Sequence, residues 1–151
     1  MPFQKDIETL ELYLEMEAFR CNNKFRYRIE VAHELLHGDY KVPPMLIQPF
    51  IENAIHHGLL NKMTNDRVLN IKMTTNNNFI HYSIADNGIG RTQAEELRKL
   101  NNPEHISYGI AITKERIALY NNSAVNGFVI SDIMNNDVIC GTKVEIDLKF
   151  Y

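Results

Sequence analysis

The stretch from Pro43 to Gly58, PPMLIQPFIENAIHHG, constrains this chain more than any other. Prolines open it and a glycine closes it, the expected punctuation of a helix. Leu46, Ile47, Phe50, Ile51, Ala54 and Ile55 fall on one broad stripe at helical spacing, with Gln48, Glu52 and His56 opposite. Pro49 should kink or break a helix near Leu46, so the spacing predicts an effective start at Gln48 or Pro49. Asn53 and His57, one turn apart, lie on the border of the stripe. A half-buried amide there needs a partner: a metal ion, a ligand or a backbone group.

The flanks follow simple periodicities. Residues 6–22 read as an amphipathic helix with Ile7, Leu10, Leu14 and Ala18 or Phe19 recurring, and its acidic positions, Glu8, Glu11, Glu15 and Glu17, are expected to form its wet side. Phe25, Tyr27, Ile29 and Val31 alternate with charged residues, which predicts a half-buried strand. Residues 32–42 read as a polar connection, and residues 59–67 as a loop. Two further strands, 68–74 and 79–85, flank the turn signal Asn76-Asn77-Asn78 and form a hairpin. Thr92 and Glu95 suggest a capping box for a short helix over 93–100. Residues 101–108 contain Pro103 and are expected to be mobile, and residues 109–120 read as a second long helix. Strands 127–134 and 138–150 close the chain around Asn135-Asn136-Asp137. Strands paired mainly through hairpins, with helices on one face, describe an α+β two-layer sandwich with a mixed, mainly antiparallel sheet.

Composition narrows the classes of function. The 151 residues suit a single domain. With 16 Lys+Arg against 19 Asp+Glu, the net charge of -3 supplies no electrostatic reason to expect nucleic acid or an anionic membrane. Cys21 and Cys140 suggest neither a disulfide framework nor a zinc site. No apolar run approaches the ~20 residues of a membrane span. The opening MPFQKDIETL runs directly into a helical pattern, as in a piece cut from a longer protein.

Three features carry chemistry. Asn53 is the first. The second is Asp86-Asn87-Gly88-Ile89-Gly90, a carboxylate at a strand end followed by two glycines that permit close backbone approach. The third is Gly141-Thr142 inside the last strand, where a glycine marks the approach of a ligand or of another backbone.

In this order and spacing they resemble the GHKL superfamily, the Bergerat ATP-binding fold of gyrase, heat-shock chaperone, histidine kinase and MutL-type ATPases. Pro43 to Gly58 is similar to the P-x-x-x-x-Q-P-x-x-E-N-A-x-x-H-G signature of LytS-type sensor histidine kinases, and Tyr13 to Arg20 resembles their YLxxExxRF segment. The resemblance covers nearly the whole chain.

The resemblance implies ATP and Mg2+ as ligands. Asn53 matches the magnesium-binding asparagine of the N box, and Asp86 the G1 aspartate that accepts the adenine amino group. Thr142 resembles the threonine supporting that aspartate, and Gly88 and Gly90 would shape the pocket wall. Residues 91–108 would be an ATP lid hinged at Gly109. His56 takes the place of a phosphate-facing lysine, His57 that of an aromatic residue near adenine, and Glu52 is a candidate catalytic group beside the incoming phosphoacceptor. Hydrolytic relatives carry a glutamate four residues before the asparagine, where this chain has Pro49. Phosphoryl transfer to a nucleophile supplied elsewhere therefore fits better than hydrolysis.

The implied activity is that of the catalytic domain of a two-component histidine kinase. Its γ-phosphoryl group would go to a histidine on a separate phosphoacceptor domain, without which the chain would be inactive alone. The implied partners are the dimerisation/phosphoacceptor region of the parent kinase, from which helix 1–22 would continue, and a response regulator. The parent would be membrane-anchored, with this domain cytoplasmic and without direct membrane contact. Two departures bear on a competing reading. The G2 box, usually Gly-x-Gly, is Ser107-Tyr108-Gly109 here, and Ile112 replaces a frequent asparagine. The competitor is a degenerate GHKL nucleotide-binding or interaction module without kinase activity.

Overall fold

The computed structural model describes residues 1–76, 78–101, 108–121 and 127–150. The expected turn residue 77 and most of the segment expected to be mobile lie outside the described residues. The elements run α1 (Phe3–Arg20), β1 (Arg26–Val31), α2 (His33–His37), α3 (Gln48–Asn53) continuing as a π-turn (Ala54–Leu59), β2 (Val68–Asn76), β3 (Phe79–Asp86), α4 (Arg91–Asn101), α5 (Tyr108–Tyr120), β4 (Phe128–Asn135) and β5 (Val138–Lys149).

The strands form one mixed sheet in the order β1-β2-β3-β5-β4. Only β1 and β2 pair in parallel; the other three pairs are antiparallel. Alternation along each strand decides its faces. Leu69, Ile71 and Met73 of β2, Ile80, Tyr82 and Ile84 of β3 and Val144, Ile146 and Leu148 of β5 are buried on one face, under the helices. The opposite face carries Lys72, His81, Lys143 and Glu145, with His81 Nδ1 2.7 Å from Asp147 Oδ1. This is the two-layer α+β sandwich expected from the alternating pattern. The β4–β5 hairpin turns on Asn136 and Asp137 with φ of 52° and 65°, values a two-residue turn of type I′ requires.

Several local expectations are corrected. Residues 32–42 are not a plain connection, because α2 occupies His33–His37 and buries Leu35. Thr92 does not cap α4; the helix already includes Arg91. In α5, where helical spacing allows Ile112 or Thr113 and Leu119 or Tyr120 to face inward with Ile117, Thr113 and Tyr120 do so while Ile112 and Leu119 are exposed. Glu17 is not on the wet side of α1 but is buried, 4% exposed. It continues the inward series Phe3, Ile7, Leu10 and Leu14 at helical spacing. The outward side of α1 instead exposes Leu12, Met16 and Phe19.

The central segment begins irregularly. Residues 43–47 are not helical, and α3 starts at Gln48 with Pro49 in its first turn, where the missing N–H costs nothing. Gly58 does not end the helix, which continues to Leu59 with π geometry, Leu60 N–H donating to the Ile55 carbonyl at 2.9 Å. Phe50, Ala54 and Gly58, like Ile51, Ile55 and Leu59, are buried at strict steps of four. A 3.6-residue helix drifts by about 40° at each such step, and a wider turn reduces the drift.

The far end of α5 is tied to the sheet through a buried amide. Asn121 Nδ2 donates to the Asp147 carbonyl at 2.9 Å, and Lys149 N–H donates to Asn121 Oδ1 at 2.8 Å.

Candidate functional site

A cavity of about 270 Å³ opens between α3 with its π-turn, α4, the start of α5 and the inner face of the sheet. Phe50, Ala54, Ile84, Ile130 and Val144 supply apolar walls. Asn53, His57, Asp86 and Thr142 supply polar groups, and α4 adds Arg91, Glu95 and Arg98.

Asp86 ends β3 and sits opposite Thr142 in the β3–β5 register. Its Oδ1 accepts the Gly88 N–H at 2.9 Å, and the Thr142 backbone also bonds the carboxylate. Burial outweighs these bonds and pushes the Asp86 pKa up to about 6. The residue is 6% exposed, yet it lines the cavity.

Two glycines make that access possible. A Cβ on Gly58 would lie 3.0 Å from Asp86 Oδ1 and 3.6 Å from Oδ2, over the carboxylate. A Cβ on Gly88 would collide with the Gly58 backbone, so the strand end and the π-turn meet without side chains between them. The Ile89 N–H donates to the Gly58 carbonyl at 3.3 Å across this contact. Gly141 answers the same need from β5: a Cβ there would collide with the Asp86 carbonyl. The close approach marked by this glycine is therefore to another backbone.

The residues singled out in the sequence are distributed unevenly. Asn53, His57, Asp86, Gly90 and Thr142 all line the cavity. Asn53 is half-buried and makes no side-chain hydrogen bond to the turn it begins. Gly90 adopts φ +87°, which glycine alone adopts without strain. Gly88 lies behind the wall, against Gly58, and Gly109 is the second residue of α5, next to the lining residue Ile110. His56 and Glu52 are exposed and do not line the cavity. His56 Nε2 lies 3.0 Å from Glu17 Oε2, and Glu52 accepts a 3.5 Å hydrogen bond from Gln48.

Sequence reasoning missed the contribution of α4. Arg91, Ala94, Glu95 and Arg98 face the cavity at i, i+3, i+4 and i+7, a signal legible once the helix is placed. Arg91 Nε is held by Asp132 Oδ1 at 3.0 Å, and Arg98 is paired with Glu95.

The fold recurs in known proteins. No protein-family model matches the chain. It is 36% identical over 90 residues to the sensor protein LytS of Oceanobacillus iheyensis, covering 60% of this chain and 15% of that protein. It is 29% identical over 90 residues to the sensor protein kinase HptS of Staphylococcus aureus, covering 60% and 16% of the two. In three dimensions it matches a mycobacterial sensor histidine kinase, MprB, with a TM-score of 0.62 at 14% identity, over 99% of this chain and 95% of that one. The chain is similar in sequence to LytS-type sensor proteins and shares the fold of histidine kinase catalytic domains. A catalytic domain of the histidine kinase ThkA superposes equally well on this chain, with a TM-score of 0.62 at 14% identity over 99% of this chain and 94% of that one. At that identity the superpositions establish the fold alone. The chain spans about 15% of the length of the LytS relative.

Proposed function

We propose that this chain is the ATP-binding catalytic domain of a sensor histidine kinase, transferring the γ-phosphoryl group of magnesium-ATP to a histidine on a separate phosphoacceptor domain. The observation that carries this reading is the Asp86 carboxylate, buried among apolar groups yet uncovered toward the cavity by Gly58. A carboxylate so placed accepts a hydrogen bond from the exocyclic amino group of adenine. Guanine presents a carbonyl acceptor at that position and is rejected, because two acceptors would face each other without a proton.

Asn53 fits the magnesium role. It lines the same cavity, and its amide oxygen is the kind of ligand that magnesium takes. Bound magnesium would neutralise charge on the phosphate oxygens. Arg91 and Arg98 on α4 lie along one wall, each paired with a carboxylate that an incoming polyphosphate would have to replace. Residues 91–108 would form the lid and Gly109 its hinge. His57 lines the cavity at the turn after Asn53, where it would flank the base.

The absence of a general base at position 49 argues for transfer rather than hydrolysis. Pro49 occupies the helical position four before Asn53, and Glu52 points away from the cavity. Catalysis would then rest on positioning and charge stabilisation, with the nucleophile brought by a partner. We infer that residues 1–22 continue from a dimerisation and phosphoacceptor region of a parent kinase and that a response regulator acts downstream. The domain would work on the cytoplasmic side of a membrane-anchored parent, alone inactive and without nucleic acid as a partner. A degenerate, non-catalytic module is the second reading, favoured by Ser107-Tyr108-Gly109 in place of the usual Gly-x-Gly.

Calorimetric titration with a non-hydrolysable ATP analogue, with and without magnesium, tests the proposal. Binding that strengthens with magnesium is expected, followed by phosphorylation of an added phosphoacceptor domain. No binding at millimolar nucleotide would overturn it in favour of the degenerate module.

A further inference from the structure

Two hydrogen-bond contacts join α1 to the segment that carries Asn53, and both have the same sequence separation. Met45 N–H donates to Asp6 Oδ1 at 3.1 Å, and His56 Nε2 meets Glu17 Oε2 at 3.0 Å, each across 39 residues. Between them lies the Tyr13 hydroxyl, buried and without a hydrogen-bond partner among the described residues, and burial together with the charges of Glu52 and Glu17 holds its pKa above the usual phenol value. A constant separation means that α1 and residues 45–56 run side by side in the same direction. From Asp6 to Glu17 the helix rises about 16 Å.

The clamp is strongest at its far end. Glu17 is buried, and both of its oxygens are used: Oε1 accepts from Arg20 Nη1 at 2.8 Å, and Oε2 faces His56. Burying a carboxylate is costly unless it is paired and hydrogen-bonded, so this cluster has one satisfied arrangement and no cheap alternative. His56 sits three residues after Asn53, on the same turn. A shift of α1 that displaces Glu17 must therefore either break this cluster or carry the Asn53 turn with it.

We propose that Glu17 is a positioning residue for Asn53: through His56 it sets the turn that presents the amide to the metal, so the nucleotide–metal site depends on the seat of α1. This deepens the function proposed above and rests on Asn53 as a magnesium ligand. It also assigns His56 to the scaffold rather than to a phosphate. The hydrogen bonds that hold the Asp86 carboxylate do not pass through this clamp, since they come from Gly88 and Thr142.

The two ends of the site can be measured separately in the full chain. Adenosine reports the Asp86 end; the ratio of ATP-analogue affinity with magnesium to that without reports the Asn53 end. Glu17→Ala is expected to lower the magnesium ratio by about tenfold, the usual size of an effect on a ligand's supporting partner, and to leave adenosine affinity within about twofold. Glu17→Gln, which keeps the shape and an acceptor oxygen, is expected to restore most of the ratio. His56→Ala should reproduce the loss from the exposed side, and the double variant should be no worse than either single one, because both act on one contact.

If Glu17→Ala does not fold, His56→Ala, which truncates the exposed partner of the same contact, carries the test alone, with the loss expected in the magnesium ratio. An unchanged magnesium ratio, an equal loss of adenosine and magnesium-nucleotide binding, or additive effects of Glu17 and His56 would each overturn the positioning role. Additivity would return His56 to direct phosphate contact. A wild-type protein that binds the analogue with no strengthening by magnesium would instead overturn the role of Asn53 itself, and the positioning role with it.

Discussion

Gly58 and Asp86 meet across the floor of the cavity, with the glycine Cα turned toward the carboxylate and the space of its missing Cβ only 3.0 Å from Oδ1. The contact joins the π-turn to the end of β3. It keeps the carboxylate enclosed by protein on most sides while leaving its cavity side open.

Gly58→Ala is expected to weaken adenosine binding roughly tenfold. The added methyl would sit closer to Oδ1 than ordinary van der Waals contact, so the carboxylate must turn away from its hydrogen-bonding position. The helix itself gains slightly from alanine, so the loss should appear in affinity and not in melting temperature. Calorimetry beside a thermal melt checks both.

Asp86→Asn should abolish adenine recognition and stabilise the free protein at pH 7.5. Burial raises the folded-state pKa from 3.8 to about 6, so the group favours the fold most when protonated. That contribution is fully present below about pH 4 and is lost as pH rises through about 6. The difference corresponds to roughly 3 kcal/mol at most. The uncharged amide escapes this cost, so the variant should melt higher than wild type at pH 7.5 and lose that advantage at pH 4. An Asp86→Asn protein that melted no higher at pH 7.5 would contradict the burial argument.

Adenosine affinity should fall as the solution is acidified through about pH 6. Protonation converts the acceptor carboxylate into a group that competes to donate, and affinity should drop about tenfold per pH unit well below the pKa. Titrations from pH 7.5 to 5 would show this. A flat profile would mean that adenine does not depend on this carboxylate.

Asn121→Ala should destabilise the fold by about 1–3 kcal/mol without changing nucleotide affinity per folded molecule. It leaves the Asp147 carbonyl and the Lys149 N–H without the amide that satisfies them. Denaturant unfolding compared with calorimetry separates the two effects.

The chain's periodicities determine its layers. Strict alternation in 68–74 and 79–85 leaves one way to bury Leu69, Ile71, Ile80 and Ile84, and a one-residue slip would expose them all. Pro49 restricts where the central helix begins, since a proline is tolerated in a first turn and not beyond it. Asn53 and Asp86 were legible because each departs from the pattern around it: an amide on an apolar border, and a carboxylate ending a strand before two glycines.

What the sequence by itself did not determine are contacts between residues far apart in the chain. Glu17 lies on the inward stripe of α1 by spacing, yet a carboxylate can be buried there only because His56 and Arg20 meet it. Gly58 resembles a helix stop until the backbone of Gly88 is found against it. Arg91 and Arg98 face the cavity only because α4 packs along its rim. Periodicity encodes which side of an element is buried. The partner that allows a charge, or forbids a side chain, comes from another element, and packing alone brings the two together.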